Sequence, residues 1–101
     1  MSYLALLSIT PIGKGESVSK EVAKAFKIVK NSGLKYQLTS MGTIVEADDL
    51  KKIFDVIHKA IEEVEKENNR ISVLIKMDCR KNREDAITYK VESVLEKIGD
   101  T

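Results

Sequence analysis

The stretch that decides the fold is ISVLIKMDCR, residues 71–80. Side chains alternate across a β-strand, so this segment has two faces of different character. The first face is apolar throughout and predicts a buried surface: Ile71, Val73, Ile75, Met77 and Cys79. The second face is mostly polar: Ser72, Leu74, Lys76, Asp78 and Arg80. A strand that only packs has no need of a cation, an anion and a cation in one row, so the second face is a candidate functional surface.

The rest of the chain alternates between strand and helix patterns. Three further segments have the apolar runs or the period-two alternation of strands: 3–10, 34–40 and 43–46. A helical stripe follows Ser17, its predicted N-cap, and stops at Gly33. A stronger helical stripe follows a cap at Asp48 and Asp49, and a last one begins at Ile87.

The order β-α-β-β-α-β plus one helix predicts an α+β fold, a ferredoxin-like sandwich with an extra C-terminal helix. A length of 101 residues suits a single domain over 1–101. Two helices cover only one face of such a sheet, yet the first strand is apolar on both, with Leu4 and Leu6 on one face and Ala5, Leu7 and Ile9 on the other. Leu74 adds apolar surface on the polar side of the last strand. An apolar surface of this kind predicts an interface, and a second copy of the chain is its simplest partner.

Charge and cysteine content exclude several classes of function. Lys and Arg number 17 and Asp and Glu number 16, so the net charge of +1 gives no field that recruits nucleic acid or an anionic membrane. A single cysteine excludes an internal disulfide and a thiolate zinc site within one chain. The first residues resemble neither a signal peptide nor a membrane span, which predicts a cytoplasmic protein.

The loop between the first strand and the first helix contains glycines, as phosphate-binding loops do. The nucleotide signature fails, because Ser8 stands where its first glycine belongs and Gly15 follows Lys14 in place of Ser or Thr. Two interpretations stay open. The pattern is an ordinary loop and helix cap, or free N–H groups with Ser17 and Ser19 hold an anion or a polar ligand edge.

Two carboxylates, Glu46 and Asp78, stand near the ends of strands, where they can reach solvent or a subunit boundary. Asp78 either neutralises Lys76 and Arg80 in a surface ion-pair row or contributes to recognition of a nitrogen-rich or cationic ligand. In the second case the basic neighbours serve any phosphate. Tyr36 either stacks on a ligand or fills a core or interface position.

No combination of residues indicates catalysis. His58 is the single histidine, so it lacks a second one for a metal pair, and its place beside an apolar stripe predicts a half-buried boundary residue. Cys79 shares the strand face of Ile75 and Met77, which predicts a buried, unreactive thiol. The sequence offers neither a nucleophile with its base nor a metal cluster, so we expect no enzyme activity, no catalytic residue and no metal.

Four blocks of the chain resemble the YkoF-like thiamine-binding protein family. In chain order they are PIGKGESVSKEVA (11–23), SGLKY (32–36), MGTIVE (41–46) and Arg70-Ile71 with IKMDCR (75–80). Ala47 departs from the family, which has a glycine after the glutamate. The resemblance implies a ferredoxin-like subunit that assembles into dimers or tetramers. It also implies binding of thiamine, or of its hydroxymethylpyrimidine part, without established catalysis.

Thiamine makes two demands on such a site. Its aminopyrimidine edge needs hydrogen-bond partners, and its thiazolium cation needs a carboxylate or an aromatic face. Hydroxyls would serve the pyrimidine edge, Glu46 or Asp78 the cation, and Tyr36 the stacking. The expected ligand-binding residues are Ser17, Ser19, Tyr36, Met41, Thr43, Glu46, Lys76, Asp78 and Arg80.

The sequence therefore predicts a non-catalytic, homo-oligomeric protein that binds thiamine or a pyrimidine precursor and needs no cofactor. Two rival functions stay open. One is a protein-interaction module that uses the open face of its sheet, and the other is an enzyme subunit whose site is completed between chains.

Overall fold

The computed structural model describes residues 1–99 and confirms the predicted order of elements. The elements are β1 (Ser2–Pro11), α1 (Ser19–Lys30), β2 (Lys35–Thr39), β3 (Gly42–Ala47), α2 (Leu50–Glu65), β4 (Ile71–Arg80) and α3 (Ala86–Lys97). The last two residues of the predicted domain lie outside the described ones.

The strands form one four-stranded sheet in the order β2-β3-β1-β4, in which every neighbouring pair is antiparallel. Helices α1 and α2 each join two strands that run parallel with a third strand between them, which is the ferredoxin-like connection. Both pack on the same side of the sheet, here called the helix face. The core lies there and is built mainly by β1, β3 and α2: Ala5, Leu7, Ile9, Val45, Ile53, Ile57, Ala60 and Val64. The predicted fold class is confirmed.

The extra helix α3 begins on the opposite side of the sheet, here called the α3 face. Leu4 of β1 lies on this face, paired with Glu46 on one side and Asp78 on the other. Ala86, the first residue of α3, is buried, whereas Val94 and Ile98 near its end are 60% and 68% exposed. Helix α3 therefore covers only one end of the α3 face.

The predicted burial of one face of β4 is wrong for most of the strand. Ile71 and Met77 are partly buried, but Val73 and Ile75 are 37% and 38% exposed, and Cys79 is exposed as well. The cause is the position of β4 at the edge of the sheet, since the core formed with α1 and α2 centres on β1 and β3. Alternation in a sequence shows which residues share a face, and sheet order decides whether that face is covered.

Two further local predictions need correction. Ser17 does not cap α1, because the helix begins at Ser19 and Val18 occupies the N-cap position without a side-chain hydrogen bond. His58 is well exposed on α2, where its Nε2 lies 3.0 Å from Oε1 of Glu62, so it is not a half-buried boundary residue. The cap at Asp49 is confirmed by the hydrogen bond that its Oδ1 accepts from the N–H of Lys51 at 2.9 Å.

Candidate functional site

A cavity of about 280 Å³ lies on the helix face, between α1 and the turn that joins β2 to β3; we call it the hairpin cavity. One wall is the aliphatic stripe of α1: Val18, Val22, Ala25 and Val29. The opposite side comes from β1 and the hairpin, where Leu7, Ile9, Leu38 and Thr43 project on the helix face. Ser8, Thr10 and Thr39 also border the cavity, but their side chains have the strand parity of the other face, so they contribute backbone rather than hydroxyls. The hairpin cavity is therefore mainly apolar, with the Thr43 hydroxyl and strand backbone as polar groups.

Strand backbone lines the hairpin cavity because β1 is longer than its neighbour β3. The β3 ladder ends where Thr43 pairs with Leu7, whereas β1 continues to Pro11 and pairs there with β4 alone. Backbone N–H and C=O groups between Ser8 and Thr10 that point away from β4 therefore have no strand partner on that side. Such groups are strong hydrogen-bond donors and acceptors, and in this cavity they are open to a ligand edge.

The hairpin is held in a fixed geometry. The Thr39 hydroxyl donates to the carbonyl of Gly42 at 2.7 Å and accepts from the N–H of Met41 at 3.3 Å. A side chain at Gly42 would place its Cβ 3.0 Å from the carbonyl oxygen of Leu7, so β3 can approach β1 this closely only with glycine there. Met41 projects from the turn and is 81% exposed at the rim of the cavity.

Polar contacts fix α1, which forms the apolar wall, against the end of α2. Asn68 donates from Nδ2 to Oε2 of Glu21 at 2.7 Å and to the carbonyl of Val64 at 2.7 Å. The hydrogen bond from Asn68, aided by Lys24, holds the pKa of Glu21 below its ordinary value. Lys24 also bonds Glu67 at 2.6 Å, which ties the same turn of α1 to the residues after α2.

On the α3 face, Glu46 is held by hydrogen bonds from other groups of the chain. Its carboxylate is buried and accepts hydrogen bonds from the Ser2 hydroxyl at 2.6 Å and from the N–H groups of Ala86 and Ile87 at 2.7 and 3.2 Å. Asp85 precedes α3 in a left-handed conformation and makes no side-chain cap. Glu46 therefore supplies the cap of α3 from a neighbouring strand, and its negative charge stabilises the positive end of that helix.

Asp78 also lies on the α3 face, where its carboxylate forms an ion pair with Lys90 of α3. The hydrogen bond and charge of Lys90, with Arg80 and Lys76 adding smaller effects, hold the pKa of Asp78 below its ordinary value. Both residues of the ion pair line a groove of about 240 Å³, together with Leu4 and Leu6.

The nine predicted site residues thus fall into separate places. Met41 and Thr43 line the hairpin cavity, and Ser17 and Ser19 flank Val18 at the same end of α1. Tyr36 lies further along β2, edge-on to the ring of Phe26 at 5.6 Å. The other four project on the α3 face and are not brought to the cavity: Glu46, Lys76, Asp78 and Arg80.

Sequence reasoning missed Val22 and the open backbone between Ser8 and Thr10. The apolar stripe of α1 was visible, but nothing in it marks which of its residues border a cavity. The sequence signal for the open backbone was the unequal lengths of the first and third strands.

Neither a metal site nor a membrane span is found among residues 1–99. The described residues contain no group of three or more His, Cys, Asp or Glu side chains placed to hold a metal ion. Within the same range no helix has the length and apolar character needed to cross a membrane, and the cytoplasmic location stays a prediction.

A family model described as thiamine-binding protein matches residues 5–95. The chain belongs to this family. A UPF0045 protein of Mycobacterium tuberculosis is 39% identical to it over 94 residues, which cover 93% of this chain and 92% of that protein. The resemblance seen in the four sequence blocks is confirmed.

Solved structures of the same fold agree with the architecture. A hypothetical protein of Methanocaldococcus jannaschii is 37% identical, with a TM-score of 0.81 over 99% of this chain and 98% of that one. A protein of Thermotoga maritima, described as a candidate thiamine biosynthesis/salvage protein, has a TM-score of 0.82 over 93% of this chain and 99% of that one. At 17% identity the second likeness shows the fold alone.

Proposed function

We propose that this protein binds thiamine, or the hydroxymethylpyrimidine part of thiamine, in the hairpin cavity. The observation that carries the proposal is the cavity itself, an apolar slot closed on one side by unpaired strand backbone, in a chain of the thiamine-binding protein family. A volume of about 280 Å³ stands at the small end of ligand pockets and suits a molecule of one or two rings.

The chemistry of the lining favours the pyrimidine ring over the thiazolium cation as the buried part. None of the described residues that line the cavity carries a charge or an aromatic ring. An aminopyrimidine is neutral and flat, and its edge offers both donors and acceptors to the Thr43 hydroxyl and the open backbone of β1. Val22 and Leu38 would pack against its faces. A cation buried without a carboxylate would be unfavourable, so the thiazolium ring belongs at the mouth, beside Met41.

The proposed role is binding without catalysis. Among residues 1–99, hydroxyl groups near the cavity have no histidine or carboxylate within its lining to act as their base. The ligand is the only small molecule that the proposal requires, and no separate cofactor is part of it.

We also infer that the protein is a homo-oligomer. Large apolar side chains remain open to solvent on the α3 face and on α3 itself: Leu74 at 59%, Val91 at 56%, Val94 at 60% and Ile98 at 68% exposed. Large apolar side chains left exposed in this number favour a protein interface. A function as a protein-interaction module rests on the same surfaces and is separated from ligand binding by the experiment below.

A titration with four ligands tests the proposal: thiamine, thiamine diphosphate, the hydroxymethylpyrimidine alcohol and the thiazole alcohol. Thermal unfolding and calorimetry are measured for each, since a ligand that binds the folded state adds stability of RT ln(1 + [L]/Kd). We expect thiamine and the pyrimidine alcohol to bind and the thiazole alcohol to have no effect. No shift with any of the four at millimolar concentration would contradict the proposal and favour the interaction module.

A further inference from the structure

Strand β2 is a free edge of the sheet. It pairs with β3 along Lys35–Thr39 on one side, and on its other side no strand lies against it within residues 1–99. The first four of its five residues are exposed. The outward N–H and C=O groups of β2 are therefore open, and such groups pair readily with an extended chain.

Helix α1 reaches over this edge on the helix face. The ring of Phe26 lies edge-on to the ring of Tyr36, with their centroids 5.6 Å apart. At 100° per residue, the flank of α1 that carries Phe26 also carries Ala23 and Lys30, which are both exposed. A chain that extended the sheet beyond β2 would therefore lie beside this flank. We call this place the β2 slot; it is formed by the outer edge of Lys35–Thr39 and by Ala23, Phe26 and Lys30.

The β2 slot is apolar at the end where the hairpin turns. Tyr36 and Leu38 are the cross-strand partners of Val45 and Thr43, so both project on the helix face. Leu38 is 52% exposed, and Met41 in the turn is 81% exposed. The alternate side chains of an added strand would lie beside Leu38 and Tyr36, so apolar side chains at those positions would remove this apolar surface from water.

The other end of the β2 slot is basic. Lys30 in the last turn of α1 and Lys35 at the start of β2 are both exposed there. Lys35 lies 3.2 Å from the Asp85 carboxylate, in an exposed pair that contributes little to stability. The one carboxylate of α1, Glu21, is turned to the opposite flank of the helix, where it accepts a hydrogen bond from Asn68. The charges at this end of the slot therefore favour a negatively charged partner.

We propose that the β2 slot binds an extended acidic segment of a partner protein, which adds to the sheet as a further strand antiparallel to β2. Antiparallel pairing sets the first residues of the segment opposite Thr39 and its later residues opposite Lys35. Apolar side chains therefore come first in the segment and cover Leu38 and Tyr36. Carboxylates follow and meet Lys35 and Lys30. Main-chain hydrogen bonds supply affinity, and the side chains supply specificity. The proposal goes beyond ligand binding and does not rest on it.

Two capped hexapeptides test the proposal: TVTVEE, and TVTVKK as its matched control of opposite charge. Each is titrated into the ¹⁵N-labelled chain, and the amide chemical shifts are followed. We expect TVTVEE to move the signals of Lys35–Thr39 and to bind about fivefold more tightly than TVTVKK, because two exposed ion pairs separate the peptides. Lys30→Glu should reverse this preference, whereas Lys59→Glu on α2 should keep it.

Three results would overturn the proposal. The first is the absence of any movement of the β2 signals with TVTVEE at millimolar concentration. The second is equal affinity of the parent for the two peptides, or an unchanged preference in Lys30→Glu, since either would remove the basic end of the slot from the interaction. The third is movement of the β2 signals with protein concentration alone, which would assign this edge to a second copy of the chain.

Discussion

The two faces of the sheet carry polar groups of opposite kind. On the helix face, the hairpin cavity offers the Thr43 hydroxyl and unpaired backbone without any charged lining residue among those described. On the α3 face, Glu46 and Asp78 are charged, but each already has partners within the chain. Charged residues in a strand pattern are easily chosen from sequence as candidate site residues. The difference between the faces is the reason we propose the ligand site at unsatisfied hydrogen-bonding groups beside an apolar wall rather than at charges that are already paired.

Filling the hairpin cavity should have the largest effect. Val22→Phe adds a ring to the apolar wall and occupies the space that the pyrimidine needs, so we expect binding of the pyrimidine alcohol to fall below detection in calorimetry. Stability should change by no more than about 1–3 kcal/mol, the usual range for an overpacked site. Val91→Phe on the exposed side of α3 is the control. Parent-like binding by Val22→Phe would place the site elsewhere.

Removing the charge of Glu46 should affect folding and leave binding intact. Glu46→Gln keeps the shape of the side chain but weakens the cap of α3 and turns an N–H₂ group towards hydrogen-bond donors. We expect a loss of roughly 2 kcal/mol in the free energy of unfolding, measured by urea denaturation. Ser2→Ala, which removes one donor and no charge, should lose less. If Glu46→Gln instead keeps the parent's stability and binds thiamine more weakly, Glu46 contacts the ligand and the structural role is wrong.

Thr43→Val should weaken binding by a smaller amount. The substitution keeps the size of the side chain and removes a hydroxyl that faces the cavity from β3, so one hydrogen bond of about 1 kcal/mol is lost and affinity falls about fivefold. Calorimetry with the pyrimidine alcohol measures this change. Thr88→Val on exposed α3 serves as the control, and equal affinities for the two variants would argue against contact with Thr43.

Asp78→Asn should have the smallest effect. The Asp78–Lys90 pair is half exposed, and exposed ion pairs contribute little to the free energy of unfolding. Because Lys90 lowers the pKa of Asp78 in the folded state, its stabilisation is present above the ordinary carboxyl pKa and is lost as pH falls through the lowered value. The free energies of unfolding of parent and variant, measured by urea denaturation from neutral to acidic pH, should therefore become equal in acid. Weaker thiamine binding by Asp78→Asn would contradict the assignment of the ligand to the helix face.

The fold was predictable because it depends on patterns that are local in sequence. Alternation in Ile71–Arg80, the stripe of α2 and the Asp49 cap each act within a few residues. Burial of Cys79 was not predictable, because it depends on which strand lies at the edge of the sheet. The sequence marked Met41 and Thr43, which line the cavity where we propose the site, but it could not show that Glu46 caps a helix forty residues away.

The assignment of the ligand to the helix face is tested most directly by amide chemical shifts. A ¹⁵N-labelled sample is titrated with the hydroxymethylpyrimidine alcohol, and the residues whose signals move are mapped on the structure. The account predicts movement around the hairpin cavity, at Ser8, Thr10, Val22 and Thr43, with the strand Ile71–Arg80 unaffected beyond Val73. The largest movements at Lys76, Asp78 and Arg80, with the hairpin cavity silent, would contradict it.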